Sequence, residues 1–200
     1  VAGTTNLDWA VATLAPDLAG RPDPYAAIEA MIAVIPIGSE GVTWLPYLSD
    51  SGIIAPAVSV GARAAFEGLA PRHGRPHLLR AVYEGVALSI RDCFDALEGT
   101  TFEEVVLCGG GGRSVLWTQM IADVLQRRIV VPAGTEFGAR GAALLAATAI
   151  GRFGSIREAS AVARSIQRVQ EPDPGTAAAW GAALALYRRR RDALIAAARD

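Results

Sequence analysis

The run Val105-Val106-Leu107-Cys108-Gly109-Gly110-Gly111-Gly112-Arg113-Ser114, leading into Leu116-Trp117, carries the strongest chemical signal in the chain. A strand that ends in glycines and opens a helix leaves N–H groups and bare backbone at the carboxyl edge of a sheet, where nucleotides and phosphates bind. Three chemistries compete for such a turn. The dinucleotide fingerprint G-x-G-x-x-G fails, because its third glycine falls on Ser114 when counted from Gly109 and on Val115 when counted from Gly110. A Walker-type phosphate loop needs a lysine for the β/γ-phosphates, and all 19 basic residues of this chain are arginine. The third chemistry is a glycine turn over which a flat adenine or a ribose can slide. A tight strand–helix turn without a ligand is the plain structural alternative.

The elements that must hold this turn are legible from periodicity. Val105–Leu107 reads as a buried strand, Ser114 to about Gln126 as the helix after the glycines, and Ile129–Val131 as a second strand. Leu78, Val82, Val86, Ile90, Phe94 and Leu97 fall at helical spacing, which predicts a long core helix from His77 to Leu97 closed by Gly99. Upstream, Val1–Thr5 is small and β-leaning. Asn6 offers a cap for a helix through Leu7, Trp9, Val11 and Leu14, and Pro22-Asp23-Pro24 opens another. Gly41–Leu45 reads as a buried strand and Ala64–Phe66 as a short one, separated by the long irregular stretch Pro46–Gly61. Phe137–Ile150, about Ile156–Ser165 and Gly175–Ala198 complete the helices. Strands alternating with helices argue an α/β layer architecture.

Composition bounds the function classes. A 52% hydrophobic chain of 200 residues with a net charge of −1 is globular and carries no general pull toward nucleic acid or an anionic membrane. Its longest apolar stretches, Ala142–Ile150 and Ala182–Tyr187, fall short of the ~20 residues a membrane span requires. Cys93 and Cys108 make no disulfide framework and fit a reducing, cytoplasmic setting. The chain begins at Val1 without a signal peptide and reads as one domain, residues 1–200, of something longer.

Other chemistry-bearing residues have structural readings. His73 and His77 are separated by Gly74 and Pro76, which spoils a shared helical metal face, and no metal ligands are assigned. Arg188–Arg191 reads as a solvated helix face rather than a nucleic-acid patch. Glu84 and Asp92 stand about 12 Å apart along a helix, at ~1.5 Å per residue, too far to act on one bond. Ion pairing with Arg80 and neighbouring arginines suits them better. Cys108 reads as a small buried filler.

The stretch Leu107–Leu125 closely resembles the adenosine motif of FGGY-family carbohydrate kinases, which typically reads G-G-G-A-R-S-x-L-W-x-Q-x-x-A-D-V-L. Further stretches are similar to that family: Leu78-Leu79-Arg80-Ala81-Val82-Tyr83-Glu84-Gly85-Val86-Ala87 with Arg91-Asp92, Leu45-Pro46-Tyr47-Leu48, Ala62–Leu69, Glu136–Ala143 and Gln170–Pro174. The resemblance implies an actin-like ATPase (ribonuclease H-like) fold, α/β with a mixed sheet and flanking helices. The chain would be its C-terminal, nucleotide-binding lobe, and the N-terminal lobe would lie upstream. Carried over by position, Gly109, Gly110 and Gly111 would pass beneath the nucleoside, and Ser114 would face the adenine. Thr4 and Asp8 would line the far side. Gly138, Gly141, Ala142 and Ala143 would let the second connecting helix pack at the hinge.

The implied cofactor is ATP with Mg²⁺, the metal held mainly by the N-terminal lobe, where the D-x-G-T element and the catalytic base also belong. No catalytic residue is assigned to this chain. The implied partners are a sugar, sugar-acid or polyol substrate, with a xylulose- or ribulose-like ketopentose favoured, and the protein's own N-terminal lobe. No nucleic acid or membrane is implied, and a homodimer stays open. Where many relatives carry G-E-R-x-P after L-P-Y-L, this chain has Ser49-Asp50-Ser51-Gly52-Ile53-Ile54-Ala55-Pro56, without the Glu-Arg pair. Other readings are a non-catalytic nucleotide-binding or scaffold domain of the same fold, and an NAD-binding module.

Overall fold

A computed structural model describes residues 3–97 and 102–198. The helix α3 (Arg75–Asp95) is its central pillar, with twelve buried residues over 21. Around it pack α1 (Gly3–Leu14), α2 (Pro24–Ile32), α4 (Val115–Leu125) and α7 (Ala177–Ala197), together with a two-stranded antiparallel hairpin of β1 (Thr43–Leu45) and β2 (Ala65–Glu67). A second sheet has the order β3-β4-β5, formed by Glu104–Val106, Arg128–Pro132 and Ile166–Gln170. The β3–β4 pair is parallel and the β4–β5 pair antiparallel, so the sheet is mixed as expected. Two helices, α5 (Phe137–Ala149) and α6 (Ile156–Val162), connect β4 to β5.

The approach of β1 to α3 depends on Gly85. A Cβ there would stand 2.3 Å from the Trp44 carbonyl oxygen, which belongs to backbone that cannot swing aside. We expect Gly85→Ala to destabilise the fold by about 1–3 kcal/mol, the usual cost of overpacking a core. A thermal-unfolding midpoint equal to wild type would refute this.

Several expectations give way to the structure. The chain is already helical from Gly3, so Gly3–Thr5 is no strand, and Val1 and Ala2 lie outside the described residues. Asn6 does not cap this helix but lies within it, fully buried. Its Oδ1 accepts a 2.9 Å hydrogen bond from Trp44 Nε1. Trp44 in turn stacks on Trp9, with ring centroids 4.9 Å apart. A buried indole N–H needs an acceptor, and the short amide provides one at that depth. The core helix ends at Asp95 rather than Leu97, and Gly99, the expected terminator, lies outside the described residues.

The strand β3 is not buried. It is an edge strand with Val106 at 56% exposure, and Cys108 beyond it is exposed rather than a core filler. Residues 166–170 form a strand that periodicity did not reveal, because none of its residues is fully buried and Ile166-Gln167-Arg168-Val169-Gln170 carries no apolar alternation. In α5 none of the residues is buried: Gly138, Ala142 and Ala143 are exposed and Gly141 half-buried, and a Cβ on either glycine would meet no atom within 4 Å.

The largest correction concerns the run Arg188–Arg191, of which Arg189 is exposed while Arg188, Arg190 and Arg191 are turned to partners within the fold. Asp92 is 3% exposed and receives a 2.7 Å hydrogen bond from Arg188 Nε, while Arg191 contacts its other carboxylate oxygen. Arg190 reaches across to donate to the Gly41 carbonyl at 2.8 Å and Thr43 Oγ1 at 2.6 Å. These arginines therefore fasten α7 to α3 and to β1. The expected pairing of Glu84 is present, with Arg80 Nε donating to Glu84 Oε1 at 2.7 Å. The other oxygen of Glu84 accepts from Ser39 Oγ at 2.9 Å.

Candidate functional site

The glycine turn is built from β3, β4 and β5 together. After Val106 the chain stays pinned to the sheet by Leu107 N–H donating to the Val130 carbonyl at 2.9 Å. Gly109 then adopts φ +86°, a region that residues with a Cβ rarely enter, and this turns the backbone out of the sheet. Residues Gly110–Arg113 wind into one 3₁₀ turn. Ser114 caps α4, its Oγ accepting from Trp117 N–H at 2.8 Å. From β5, Arg168 donates to the Gly112 carbonyl at 2.7 Å and to Thr118 Oγ1 at 3.2 Å, clamping the turn from behind.

The four glycines have different tasks. A Cβ on Gly111 would meet the Trp117 ring at 2.3 Å, so this glycine admits the indole beneath the turn. Gly112 is buried, with the Leu107 carbonyl and Val131 a little over 3 Å from where a Cβ would stand (3.2 and 3.3 Å). Gly110 has neither an unusual φ nor any atom within 4 Å of a would-be Cβ. The fold does not require a glycine there.

Gly110 faces a cleft of about 630 Å³ between the turn and the α1–α2 corner. The far wall carries Thr4, Leu7 and Asp8 from α1, and Pro22–Ala26 with Glu29 from the start of α2. Tyr83 of α3 and Trp117 of α4 supply the inner wall, and Gly110, Gly111, Arg113, Ser114 and Val115 form the near wall. The opening of α2 is fixed by Asp23, whose Oδ1 accepts from Ala26 N–H at 2.9 Å, with Pro24 at the first helical position.

Residues separated by more than a hundred positions thus meet. Of those singled out in the sequence, Thr4, Asp8, Gly110, Gly111 and Ser114 all line this cleft. Gly109 does not, and acts one residue behind as the turn-former. Sequence reasoning missed Tyr25, Glu29, Tyr83 and Arg168. An acidic residue inside the apolar α2 segment Pro24–Ile32 was the one available signal for Glu29. Tyr83 sits on a core-like helix face and gave none.

The electrostatics of the cleft are those of a partly dry site. The Tyr25 hydroxyl donates to Asp8 across the rim, and burial together with that carboxylate pushes its pKa to about 12. Burial also raises the Glu29 carboxyl, opposed by a hydrogen bond with the Ser114 hydroxyl and reinforced by the charge of Asp23. Tyr83 is raised for the same first reason, desolvation, and by the charges of Glu29, Tyr25 and Asp23. Pockets of roughly 300–1,000 Å³ with a few convergent polar groups suit small ligands of nucleoside size. Elsewhere, His73 and His77 each accept a backbone N–H at Nδ1, from Ala70 at 3.0 Å and from Gly74 at 3.1 Å. No group of three or more potential metal ligands occurs among the described residues.

A mixed sheet with flanking helices, and a glycine turn opening on a nucleoside-sized cleft, define the C-terminal lobe of an actin-like ATPase fold. The chain belongs to the FGGY family of carbohydrate kinases, whose C-terminal domain model matches residues 3–150. It is 32% identical over 176 residues to the xylulose kinase of Bacillus subtilis, covering 83% of this chain and 34% of that protein. It is 31% identical over 198 residues to the erythritol kinase of Brucella abortus, covering 96% of this chain and 38% of that protein. The crystal structure of gluconate kinase from Lactobacillus acidophilus superposes with a TM-score of 0.85 at 28% identity, over 96% of this chain and 38% of that one. The chain therefore spans somewhat over a third of the length of such relatives. Among the described residues, no helix is long and apolar enough to cross a membrane.

Proposed function

We propose that this chain is the nucleotide-binding, C-terminal lobe of an ATP-dependent carbohydrate kinase that phosphorylates a hydroxyl of a sugar, sugar acid or polyol. The observation that carries this reading is the convergence of Thr4, Asp8, Gly110, Gly111 and Ser114 on one cleft, with Gly110 bare where the fold does not ask for it. The chemical fit to a nucleoside is specific. The turn offers flat backbone for a base or ribose, and Asp8 offers acceptors for sugar hydroxyls. Trp117 and Tyr83 supply apolar walls, and the polar groups are few.

ATP bound with Mg²⁺ supplies the transferable phosphoryl group. On this reading the metal-binding groups and the base that takes the substrate proton belong to the N-terminal lobe, and closure of the two lobes excludes water. The role of this chain is to bind and orient the nucleoside end. The solvent-facing helix α5 and the open face of Val106 are where we place the N-terminal lobe and the hinge.

Relatives named for xylulose, erythritol and gluconate share this lobe, so the lobe itself does not select the sugar. We favour a five-carbon ketose such as xylulose or ribulose. A coupled ADP-release assay of the full-length protein over pentuloses, aldonates and polyols tests both levels. Sugar-dependent ADP release led by a ketopentose is the expected result. Strongest turnover of an aldonate or polyol would overturn the substrate assignment, and nucleotide binding without turnover of any of them would make the domain a non-catalytic binder.

A further inference from the structure

The glycine turn is gripped by a side chain that comes from far along the chain and from outside the cleft. Arg168 of β5 stands opposite Val131 of β4, and Val131 lies under Gly112. From that register its guanidinium donates to the Gly112 carbonyl at 2.7 Å, to Thr118 Oγ1 at 3.2 Å and to the Ser114 carbonyl at 3.4 Å. Arg128 of β4 and Arg164, just before β5, pair with Glu171 and Glu104. Arg168 has no ion pair among the described residues. All three of its acceptors belong to the turn and the start of α4. A cation at a helix N-terminus is opposed by the helix dipole, so the stability of α4 gives no reason for an arginine there.

What the grip does follows from the composition of the turn. Gly110, Gly111 and Gly112 come in succession, and glycine has the widest range of backbone shapes to choose from. The hydrogen bond from Gly112 N–H to the Gly109 carbonyl, at 3.1 Å, closes the turn on itself without fastening it to β5. We propose that Arg168 is a positioning residue for nucleotide binding: by holding the Gly112 carbonyl to the sheet, it keeps Gly110 and Gly111 in place as the near wall of the cleft. The inference rests on the cleft being the nucleoside site. Arg168 does not line that cleft and acts only through the turn. Without the guanidinium the turn populates other shapes, and the apparent affinity for nucleotide falls by the fraction that stays competent.

The test uses the full-length protein, with ADP binding measured by calorimetry and steady-state kinetics in which ATP and the preferred sugar are varied separately. Arg168→Met keeps most of the side-chain length and removes every donor. It is expected to raise the Kd for ADP and the KM for ATP about tenfold, the value of a hydrogen bond from a charged donor, with kcat within about twofold and the KM for the sugar unchanged. Arg168→Lys, whose ammonium can still donate to the Gly112 carbonyl, should raise the same two constants about threefold, and it decides the matter alone if Arg168→Met does not fold. A lower unfolding midpoint with wild-type ADP affinity would mark a structural role only and overturn the proposal, as would equal losses in the ATP and sugar constants. If Gly110→Val weakens ADP binding while the Arg168 variants bind ADP as wild type does, positioning by Arg168 is overturned and the cleft survives. If none of the variants changes ADP binding, the cleft assignment falls and the proposal with it.

Discussion

Gly110→Val, placed in the full-length protein, is expected to raise the KM for ATP by roughly 5- to 150-fold while leaving kcat at saturating ATP within about twofold. The expectation follows from the division of labour among the four glycines. Gly109 is needed for its left-handed φ and Gly111 for the Trp117 ring, so substituting either would confound binding with folding. At Gly110 the backbone is ordinary and the space ahead of a Cβ is open, so a side chain costs the apoprotein little. Its branches would project into the 630 Å³ cleft. Forcing a ligand away from an occupied volume costs about 1–3 kcal/mol by analogy with overpacked cores, which gives the stated range. A rise in KM with kcat kept marks binding that is equal in the ground and transition states, as expected for a nucleoside remote from the transferred phosphate. An unchanged KM in a folded variant would remove the nucleoside from this cleft. Gly110→Ala should fall between wild type and Gly110→Val.

The second large effect belongs to stability. Asp92→Ala should destabilise the protein by about 1–3 kcal/mol, because it removes the buried anion that Arg188 and Arg191 share and leaves them only the more exposed Asp95 and Asp192 as partners. Asp92 is 3% exposed, so water does not replace the lost partner. The single change Arg188→Ala should cost clearly less, since its side chain is 36% exposed and Arg191 still neutralises Asp92. Thermal or urea unfolding of the full-length variants decides the matter. An Asp92→Ala protein as stable as wild type would show the triad to be energetically idle.

The sequence was most informative where a pattern was long or local. The 21-residue α3 and the strand–glycine–helix turn were legible, because periodicity over six turns and a strand running into four glycines each have few alternative readings. The resemblance to a kinase family fixed the fold because ordered motifs ran along most of the chain. What stayed hidden depended on partners far away in sequence. Asn6 reads as a helix cap until Trp44 appears beside it. Arg188–Arg191 reads as a solvated face until Asp92, nearly a hundred positions earlier, is seen between two of its members. Tyr83 and Glu29 stand beside the apolar rows that periodicity picks out rather than on them, and only the position of α2 opposite α4 gives them a cleft to line. The strand β5 was lost for a related reason: half of it is exposed, and its worth lies in Arg168 gripping the glycine turn.

The last helix carries a consequence for where this lobe can be cut. The family match stops at residue 150, yet Trp180, Tyr187 and Ile195 of α7 are buried in the common core. Tyr187 meets the hydroxyl of Tyr47 at 2.7 Å, and the arginines of α7 neutralise Asp92 and grip β1. A fragment trimmed to the recognisable motif would lose all of these, and with β5 the arginine that holds the turn. The unit that folds is longer than the span the family model matches, and the portion beyond that span is the clasp that holds the walls of the cleft in register.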